Sequence, residues 1–240
     1  MEPGKWKFST MIKLENVTKQ YPTGNTALSD ITFTIDQGDF VFLVGPSGSG
    51  KTTLLRMLIR DSIPTSGSIS IGEWDLIRLP DAKVPHLRKK IGVVFQDLKL
   101  LRDRTIFENI LFPLEVVGME KLEAQKRVEG ILEQVGIMDH KDKFPIQLSG
   151  GEMQRAAIAR ALAFSPEILL ADEPTGNLDN TTSWEIVKLL QDINALGTTV
   201  IMATHNTDIV NSLLKRTITL EKGKLVKDTP MKGVHKEKHK

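Results

Sequence analysis

A glycine-rich stretch, GPSGSGKTT at residues 45–53, constrains the fold of this chain more than any other feature. It follows an apolar segment, Phe40–Val44, and opens a helix-like segment, Lys51–Arg60. A match to G-x-x-x-x-G-K-[ST] between a buried strand and a helix predicts a loop whose backbone amides wrap phosphates. In such a loop the lysine, Lys51, neutralises the β- and γ-phosphates, and the hydroxyl of Thr52 can bind Mg²⁺.

Strand-like and helix-like segments alternate along much of the chain. Further buried-strand patterns lie at Ile91–Phe95, Ile168–Ala171 and Thr199–Ala203, and helical periodicity covers Thr182–Leu196 between the last two. Strand–helix–strand alternation of this kind is typical of an α/β core with a mostly parallel sheet. Residues 217–227 are predicted to form a closing hairpin.

Two parts of the chain differ from this pattern. Strand-like runs near residues 11–14, 28–35 and 67–71 predict an N-terminal antiparallel β subdomain. The stretch 97–163 instead carries helical periodicity, as in Ile106–Val117 and Lys121–Val135, and predicts an inserted α-helical subdomain. We therefore divide the chain into an N-terminal extension (1–10), a core (11–96 and 164–229), a helical subdomain (97–163) and a basic tail (230–240).

A second helix start has the features of an anion site. Ser149 is predicted to N-cap a helix at Gly150–Ala163, and Glu152 follows at the capping-box spacing. Gly150 and Gly151 have no side chains, so the first amides of this helix stay open to an anion. By itself the stretch LSGGE at 148–152 indicates a second phosphate site in one chain.

Acidic and amide side chains follow two of the predicted strands. Asp172 and Glu173 end the strand at 168–171, at the sheet edge where α/β proteins bind ligands. Asp172 suits Mg²⁺ through water, and Glu173 suits a general base; the alternative is a solvated pair in a turn. Gln96 ends the strand at 91–95 and can reach a metal or a water.

Two lone side chains have an open interpretation. Tyr21, the only tyrosine, lies in a turn before the core strands, where its ring can stack on adenine or simply pack. His205 follows the strand at 199–203, where a neutral imidazole can bind a γ-phosphate or serve a structural role.

Composition and charge limit the chemistry and the partners of this chain. The chain has no cysteine, no apolar run of about 18 residues and no signal-peptide pattern at its start. Its net charge is +2, but the last ten residues hold four lysines against one glutamate, which leaves 28 basic and 29 acidic residues elsewhere. This balance argues against a nucleic-acid surface. The tail itself is either a solvated end or weakly attracted to an anionic membrane face.

Taken together, these motifs resemble the nucleotide-binding domain of ABC ATPases across about residues 11–229. The resemblance implies a RecA-like P-loop NTPase core. It places the aromatic A-loop at Tyr21, the Q-loop at Gln96, the D-loop at 177–179 and the switch histidine at His205. The Walker A loop that contacts ATP comprises Gly45, Pro46, Ser47, Gly48, Ser49, Gly50, Lys51, Thr52 and Thr53.

Further roles are implied by this resemblance alone. ABC domains work as head-to-tail homodimers with two ATP molecules at the interface. Glu173, His205 and Gln96 would be catalytic, and Mg²⁺ would be held by Thr52, Gln96 and, through water, Asp172. From the other copy, the γ-phosphate would be capped by the signature residues Ser149, Gly150, Gly151 and Glu152, with Asp179 nearby.

The branch of the family is also indicated. ADEPTGNLD at 171–179 is similar to lipoprotein-release, macrolide-efflux and cell-division ATPases, and VFQDLKLL at 94–101 is similar to the cell-division members. Those ATPases pair with an integral membrane protein at the cytoplasmic face and relay motion to cell-wall hydrolases. The alternatives are the energising subunit of a true transporter and, less favoured, a soluble ABC protein acting on nucleic acid.

Overall fold

A computed structural model describes residues 10–230, which form two compact units. Among the described residues, one unit comprises 10–80 together with 201–230, and the other is Asp81–Val200. Residues 1–9 of the predicted extension and residues 231–240 of the predicted tail lie outside the described residues. The predicted domain boundaries at 96/97 and 163/164 stay predictions.

The strands and α-helices of residues 10–230 run in the following order. They are β1 (Thr10–Gln20), β2 (Thr26–Asp36), β3 (Phe40–Val44), α1 (Lys51–Leu58), β4 (Ser66–Ile71), β5 (Trp74–Asp75), α2 (Val84–Lys89), β6 (Ile91–Val94), α3 (Ile106–Val116), α4 (Lys121–Gln134), α5 (Gly150–Ala161), β7 (Ile168–Asp172), α6 (Asn180–Ala195), β8 (Thr199–Thr204), α7 (Thr207–Leu213), β9 (Arg216–Glu221) and β10 (Lys224–Thr229).

The first unit contains an antiparallel sheet in the order β2-β1-β4-β5. In β1, Ile12 and Leu14 are buried whereas Lys13 and Glu15 are exposed, the alternation of a sheet with one wet face. Leu14 lies opposite Phe33 of β2 and opposite Ile69 of β4. The predicted N-terminal antiparallel subdomain is therefore confirmed.

The same unit contains the strands that carry the glycine-rich loop. They follow the order β10-β9-β3-β8, with β3 parallel to β9 and β9 antiparallel to β10. Phe40, Val41, Phe42 and Leu43 of β3 are buried, as the uninterrupted apolar run predicts. The hairpin turns at Lys222 and Gly223, which both have positive φ (47° and 77°), the geometry that matches strand twist.

The second unit combines a parallel strand pair with the long helices. Ile91 of β6 lies opposite Ile168 of β7, and every residue of β7 is buried. Helices α3 and α4 confirm the predicted helical insertion. Parallel strands, an antiparallel subdomain and these helices together confirm the α/β class.

Most differences from the sequence prediction concern short elements and helix ends. Helices α2 and α7 are six and seven residues long, too short to show a periodic apolar pattern. Helix α6 begins two residues before the predicted Thr182, because Asp179 provides its N-cap. None of the helices between residues 10 and 230 has the length and apolar composition that crossing a membrane requires.

Candidate active site

The glycine-rich loop is a tight cradle that leaves no room for side chains at two positions. Gly45 has φ 154°, and a Cβ there would lie 2.1 Å from the carbonyl oxygen of Leu220. Gly50 has φ 104°, and its Cβ would lie 2.6 Å from Leu28 Cδ2. Glycine at both positions is therefore required by backbone conformation and by space.

The start of α1 at this loop has no side-chain cap. Gly50 is the N-cap residue and offers no oxygen to the first helical amides. The dipole and open amides of such a helix start favour an anion. Pro46, Ser47 and Gly48 form an exposed rim before it, and Thr52 is exposed in the first helical turn.

Two polar side chains are buried in the loop. The Lys51 ammonium donates hydrogen bonds to the carbonyl oxygens of Gly45, at 2.7 Å, and Pro46, at 3.2 Å. The Ser49 hydroxyl is buried and has no hydrogen-bond partner among residues 10–230. A cradle of amides with a buried cation and a hydroxyl that lacks a partner fits a polyphosphate group.

Tyr21 lies close to this loop in the first unit. Its hydroxyl is 3.4 Å from the Thr53 Oγ1 atom on the first turn of α1. The backbone amide of Tyr21 donates to Asn25, and that of Gly24 donates back to Tyr21, which closes the turn. The structure thus brings Tyr21 and Thr53, two of the predicted nucleotide-binding residues, close together.

His205 is exposed directly after β8. The backbone on both sides of it is fixed by side chains. The Asn206 amide donates to Thr204 Oγ1, and Asn206 Oδ1 caps α7 by accepting from the amides of Asp208 and Ile209. The histidine therefore lies in a short connection between β8 and α7 that is held by hydrogen bonds on both sides.

The acidic pair lies at the carboxyl end of β7 in the second unit. Asp172 is buried as the last residue of the strand. Glu173 has φ 49°, a left-handed conformation that is unfavourable for a residue with a Cβ. Strained backbone of this kind is concentrated at functional positions, which supports the interpretation of Glu173 as a reacting group.

Gln96 is exposed two residues after β6, and the segment that follows it is held by the half-buried side chain of Arg160 and the buried side chain of Asn109. Arg160 of α5 donates to the carbonyl oxygens of Leu98 and Lys99. Asn109 of α3 accepts from the Leu101 amide at 2.7 Å and donates to the Leu101 carbonyl at 3.0 Å. The sequence prediction missed both residues. A signal for Asn109 was its polar side chain in the apolar pattern of α3.

The start of α5 is closed by its own side chains. Ser149 Oγ accepts from the Glu152 amide at 3.4 Å, and Glu152 Oε2 accepts from the Ser149 amide at 2.7 Å and its hydroxyl at 2.8 Å. The other carboxylate oxygen lies 3.0 Å from Nε2 of His140, a residue that the sequence prediction missed. The capping box predicted from sequence is confirmed. The hydrogen bonds from Ser149 hold the pKa of Glu152 below its usual range.

The glycines of this helix start also serve packing. A Cβ on Gly151 would lie 2.5 Å from Cγ2 of Thr182 in α6, and one on Gly150 would lie 3.2 Å from Leu178. Asp179 binds the same threonine, since its two oxygens accept from the Thr182 amide at 2.9 Å and hydroxyl at 2.6 Å. These bonds lower the pKa of Asp179. Thr182 therefore joins the predicted D-loop to the second helix start.

Each unit thus holds one group of the predicted residues. The first contains the glycine-rich loop, Tyr21 and His205. The second contains Gln96, the acidic pair, the capped start of α5 and Asp179. The catalytic and binding roles of these residues stay predictions.

Comparisons with known proteins give the family. The family model described as ABC transporter matches residues 28–176. The chain is 50% identical over 218 residues to the cell division ATP-binding protein FtsE of Bacillus subtilis, which covers 91% of this chain and 96% of that relative. The chain belongs to the ABC transporter family. It is an ABC-type ATPase that binds and hydrolyses ATP.

Two further proteins of the ABC family are similar to this chain over most of its length. The Mycobacterium tuberculosis protein of the same description is 48% identical over 226 residues, with 94% of this chain and 98% of the relative covered. A dimeric ATP-binding cassette in a post-hydrolysis state with ADP and Pi has a TM-score of 0.84 and 37% identity, with 93% of this chain and all of that chain covered. This chain therefore resembles ABC domains in its fold as well as in its sequence.

Proposed function

We propose that this chain is the ATP-hydrolysing subunit of an FtsEX-type complex in bacterial cell division. The observation that carries the proposal is the identity of 50% to a cell division ATP-binding protein across almost the whole length of both chains. In this proposal an FtsX-like integral membrane protein receives the ATP-driven motion. That partner passes it on to regulate a cell-wall hydrolase.

Nucleotide binding is assigned to the first helix start. The amides of residues 45–53 surround the phosphates, and the Lys51 ammonium leaves the loop carbonyls to neutralise them. The carbonyl oxygens of Gly45 and Pro46, which accept hydrogen bonds from this ammonium, belong to the same loop. Tyr21 stacks on the adenine ring.

Hydrolysis is assigned to the groups that follow the strands. Glu173 accepts a proton from the attacking water as general base, and Gln96 and His205 orient that water and the γ-phosphate. The left-handed backbone at Glu173 supports this role, because strained backbone is concentrated at functional positions.

The oxygen chemistry of Thr52, Asp172 and Gln96 suits Mg²⁺. Hydroxyl, carboxylate and amide oxygens are hard ligands of the kind this ion prefers, with Asp172 acting through water. When bound, Mg²⁺ neutralises charge that develops on the β- and γ-oxygens. No group of three or more histidine or acidic residues in 10–230 forms an independent metal site.

The second helix start is assigned to the ATP of another copy. Ser149, Gly150 and Gly151 cap the γ-phosphate in trans, with Asp179 and Glu152 supporting them. The dimeric cassette with ADP and Pi, similar over 93% of this chain, supports a homodimer. A γ-phosphate held between two copies makes dimer closure depend on ATP, and hydrolysis reverses that closure.

The surface that binds the membrane partner is assigned to the helical segment. Within 97–117, Phe112 and Val116 of α3 are exposed apolar side chains, at 42% and 68%. We propose that this segment lines a groove for a cytoplasmic helix of the partner, which makes the ATPase peripheral to the cytoplasmic face of the membrane.

An affinity pull-down from bacterial membranes with the tagged chain tests the cell-division role. The expected result is co-purification of a four-helix membrane protein with one extracytoplasmic domain. Recovery of a longer permease with a solute-binding protein would instead establish the transporter alternative. The variant Phe112→Asp is expected to lose the partner and keep ATP binding, whereas the matched change Leu196→Asp, at an exposed residue beyond α6, is expected to keep both.

A further inference from the structure

The ring of Tyr21 has a cation against it. The Lys19 ammonium lies over the ring, 5.4 Å from its centroid. Lys19 lies near the end of β1 and Tyr21 directly after it, and the period of an extended chain places side chains two residues apart on the same side. This distance is within the range of a cation–π interaction.

The position of that ammonium is itself fixed. Lys19 Nζ donates to the carbonyl oxygen of Ile63 at 2.6 Å. The chain after Ile63 is tied to β1, because the Thr65 amide donates to the Thr18 carbonyl at 2.7 Å and Thr65 Oγ1 accepts from the Gln20 amide at 2.9 Å. The cation is thus anchored beside β1, the strand that directly precedes the ring.

The other end of the ring is anchored to the phosphate loop. The Tyr21 hydroxyl is 3.4 Å from Thr53 Oγ1 on α1. The ring is therefore held at its hydroxyl by the helix that starts at the loop and covered on one face by Lys19. A planar ligand whose phosphates lie in the loop can stack only on the opposite face.

We propose that Lys19 is a positioning residue for the adenine base, acting through Tyr21. This inference rests on the proposed ATP site and adds a determinant of base affinity. Lys19 favours one orientation of the ring before ATP arrives, so that less ordering is needed on binding. Without Lys19 the stacking-competent orientation is less populated, and the apparent dissociation constant rises by the same factor.

Calorimetric titration of Lys19→Met with ATP and with inorganic tripolyphosphate tests this role. The methionine keeps the length of the side chain and removes the charge. We expect the dissociation constant of ATP to rise about two- to fivefold, the equivalent of one exposed cation–π contact. Tripolyphosphate has no base to stack, so its affinity is expected to stay unchanged.

Three further variants separate this role from a general charge effect. Lys19→Arg keeps a cation and a donor, and is expected to restore ATP affinity. Lys13→Met removes a lysine of the same strand, which pairs with Glu15 at 2.7 Å. This variant is expected to leave the affinities for ATP and for tripolyphosphate unchanged. In a Tyr21→Ala background, Lys19→Met is expected to have no further effect.

The outcomes are distinct from a failure of the ATP site. Equal weakening of ATP and tripolyphosphate would show that Lys19 acts on phosphate charge and would overturn the inference. An unchanged ATP affinity, or a loss that persists without Tyr21, would overturn it as well. Failure of the unmodified protein to bind either ligand would instead refute the proposed function.

Discussion

The starts of α1 and α5 are both rich in glycine, but only the start of α5 has a side-chain cap. At α1, Gly50 provides no side-chain cap, and the first amides stay open. At α5, Ser149 and Glu152 cap each other, and His140 lies against the second oxygen of Glu152. The first start is prepared for an anion in the isolated chain, whereas the second has already used its hydroxyl.

This difference gives the two starts different tasks. An anion at α1 meets open amides and the nearby Lys51, so it can bind without help from another molecule. An anion at α5 must compete with the carboxylate of Glu152 for the Ser149 hydroxyl, which weakens binding. The second start therefore suits a phosphate that is presented to it already bound, as in the proposed dimer. The sequence already predicts the capping box at this start, and the structure confirms it.

The largest expected effect comes from a variant that traps both starts on one ATP. Glu173→Gln removes the proposed base and is expected to lower turnover by about 10²- to 10⁴-fold. ATP binding should persist, because no phosphate contact is lost, so ATP-bound dimer should accumulate. Phosphate release and light scattering after size exclusion measure the two quantities. Turnover near that of the unmodified protein would refute the role of Glu173.

Ser149→Arg tests the second start directly. The bulky cation is expected to prevent closure of the dimer and to lower turnover by about 10²-fold, the cost of misplacing a catalytic contact. Monomer binding of a fluorescent ATP analogue should stay within experimental error of the unmodified protein. Thr105→Arg is the matched control, because Thr105 and Glu108 form the same capping box at α3. Loss of nucleotide binding by the Ser149 variant alone would contradict the division of tasks.

Lys51→Ala tests the first start. Loss of a charge-assisted contact to phosphate is expected to cost about 1.5–3 kcal/mol, or roughly 10- to 150-fold in ATP affinity. Calorimetry measures the change. Lys121→Ala, at the exposed first residue of α4, is the control and should leave affinity unchanged. An equally small effect of both substitutions would remove Lys51 from the phosphate site.

A fourth pair of variants separates capping from function. Ser149→Ala and Thr105→Ala each remove the N-cap oxygen of a capping box, which is expected to cost about 0.5–2 kcal/mol in the free energy of unfolding. Urea denaturation measures that loss. Only the Ser149 variant is expected to lower ATP turnover as well. A similar loss of turnover in both would mean that Ser149 acts through helix stability alone.

Local chemistry explains what could be predicted from the sequence. The bounds of β3 and the starts of α1 and α5 depend on an apolar run and on residues a few positions apart, so they were predictable. His140 beside Glu152 depends on a contact between residues twelve positions apart that follows no repeating pattern. The small size of Gly151 has a second cause, its approach to Thr182, which only the packing of α5 on α6 reveals.

The smallest expected effect concerns pH. Hydrogen bonds from Ser149 lower the pKa of Glu152, with His140 and Lys143 contributing. Because the native pKa lies below that of the unfolded chain, this carboxylate stabilises the fold above its ordinary pKa, and the stabilisation is lost as pH falls through the native value. Glu152→Gln can still complete a capping box but does not titrate. Between about pH 5 and pH 3, its unfolding midpoint in urea should therefore fall less steeply than that of the unmodified protein.

Glu108→Gln, at the matching box of α3, should behave in the same way, because hydrogen bonds from Thr105 lower the pKa of Glu108. Identical slopes for the unmodified protein and both variants would show that neither carboxylate contributes to acid stability.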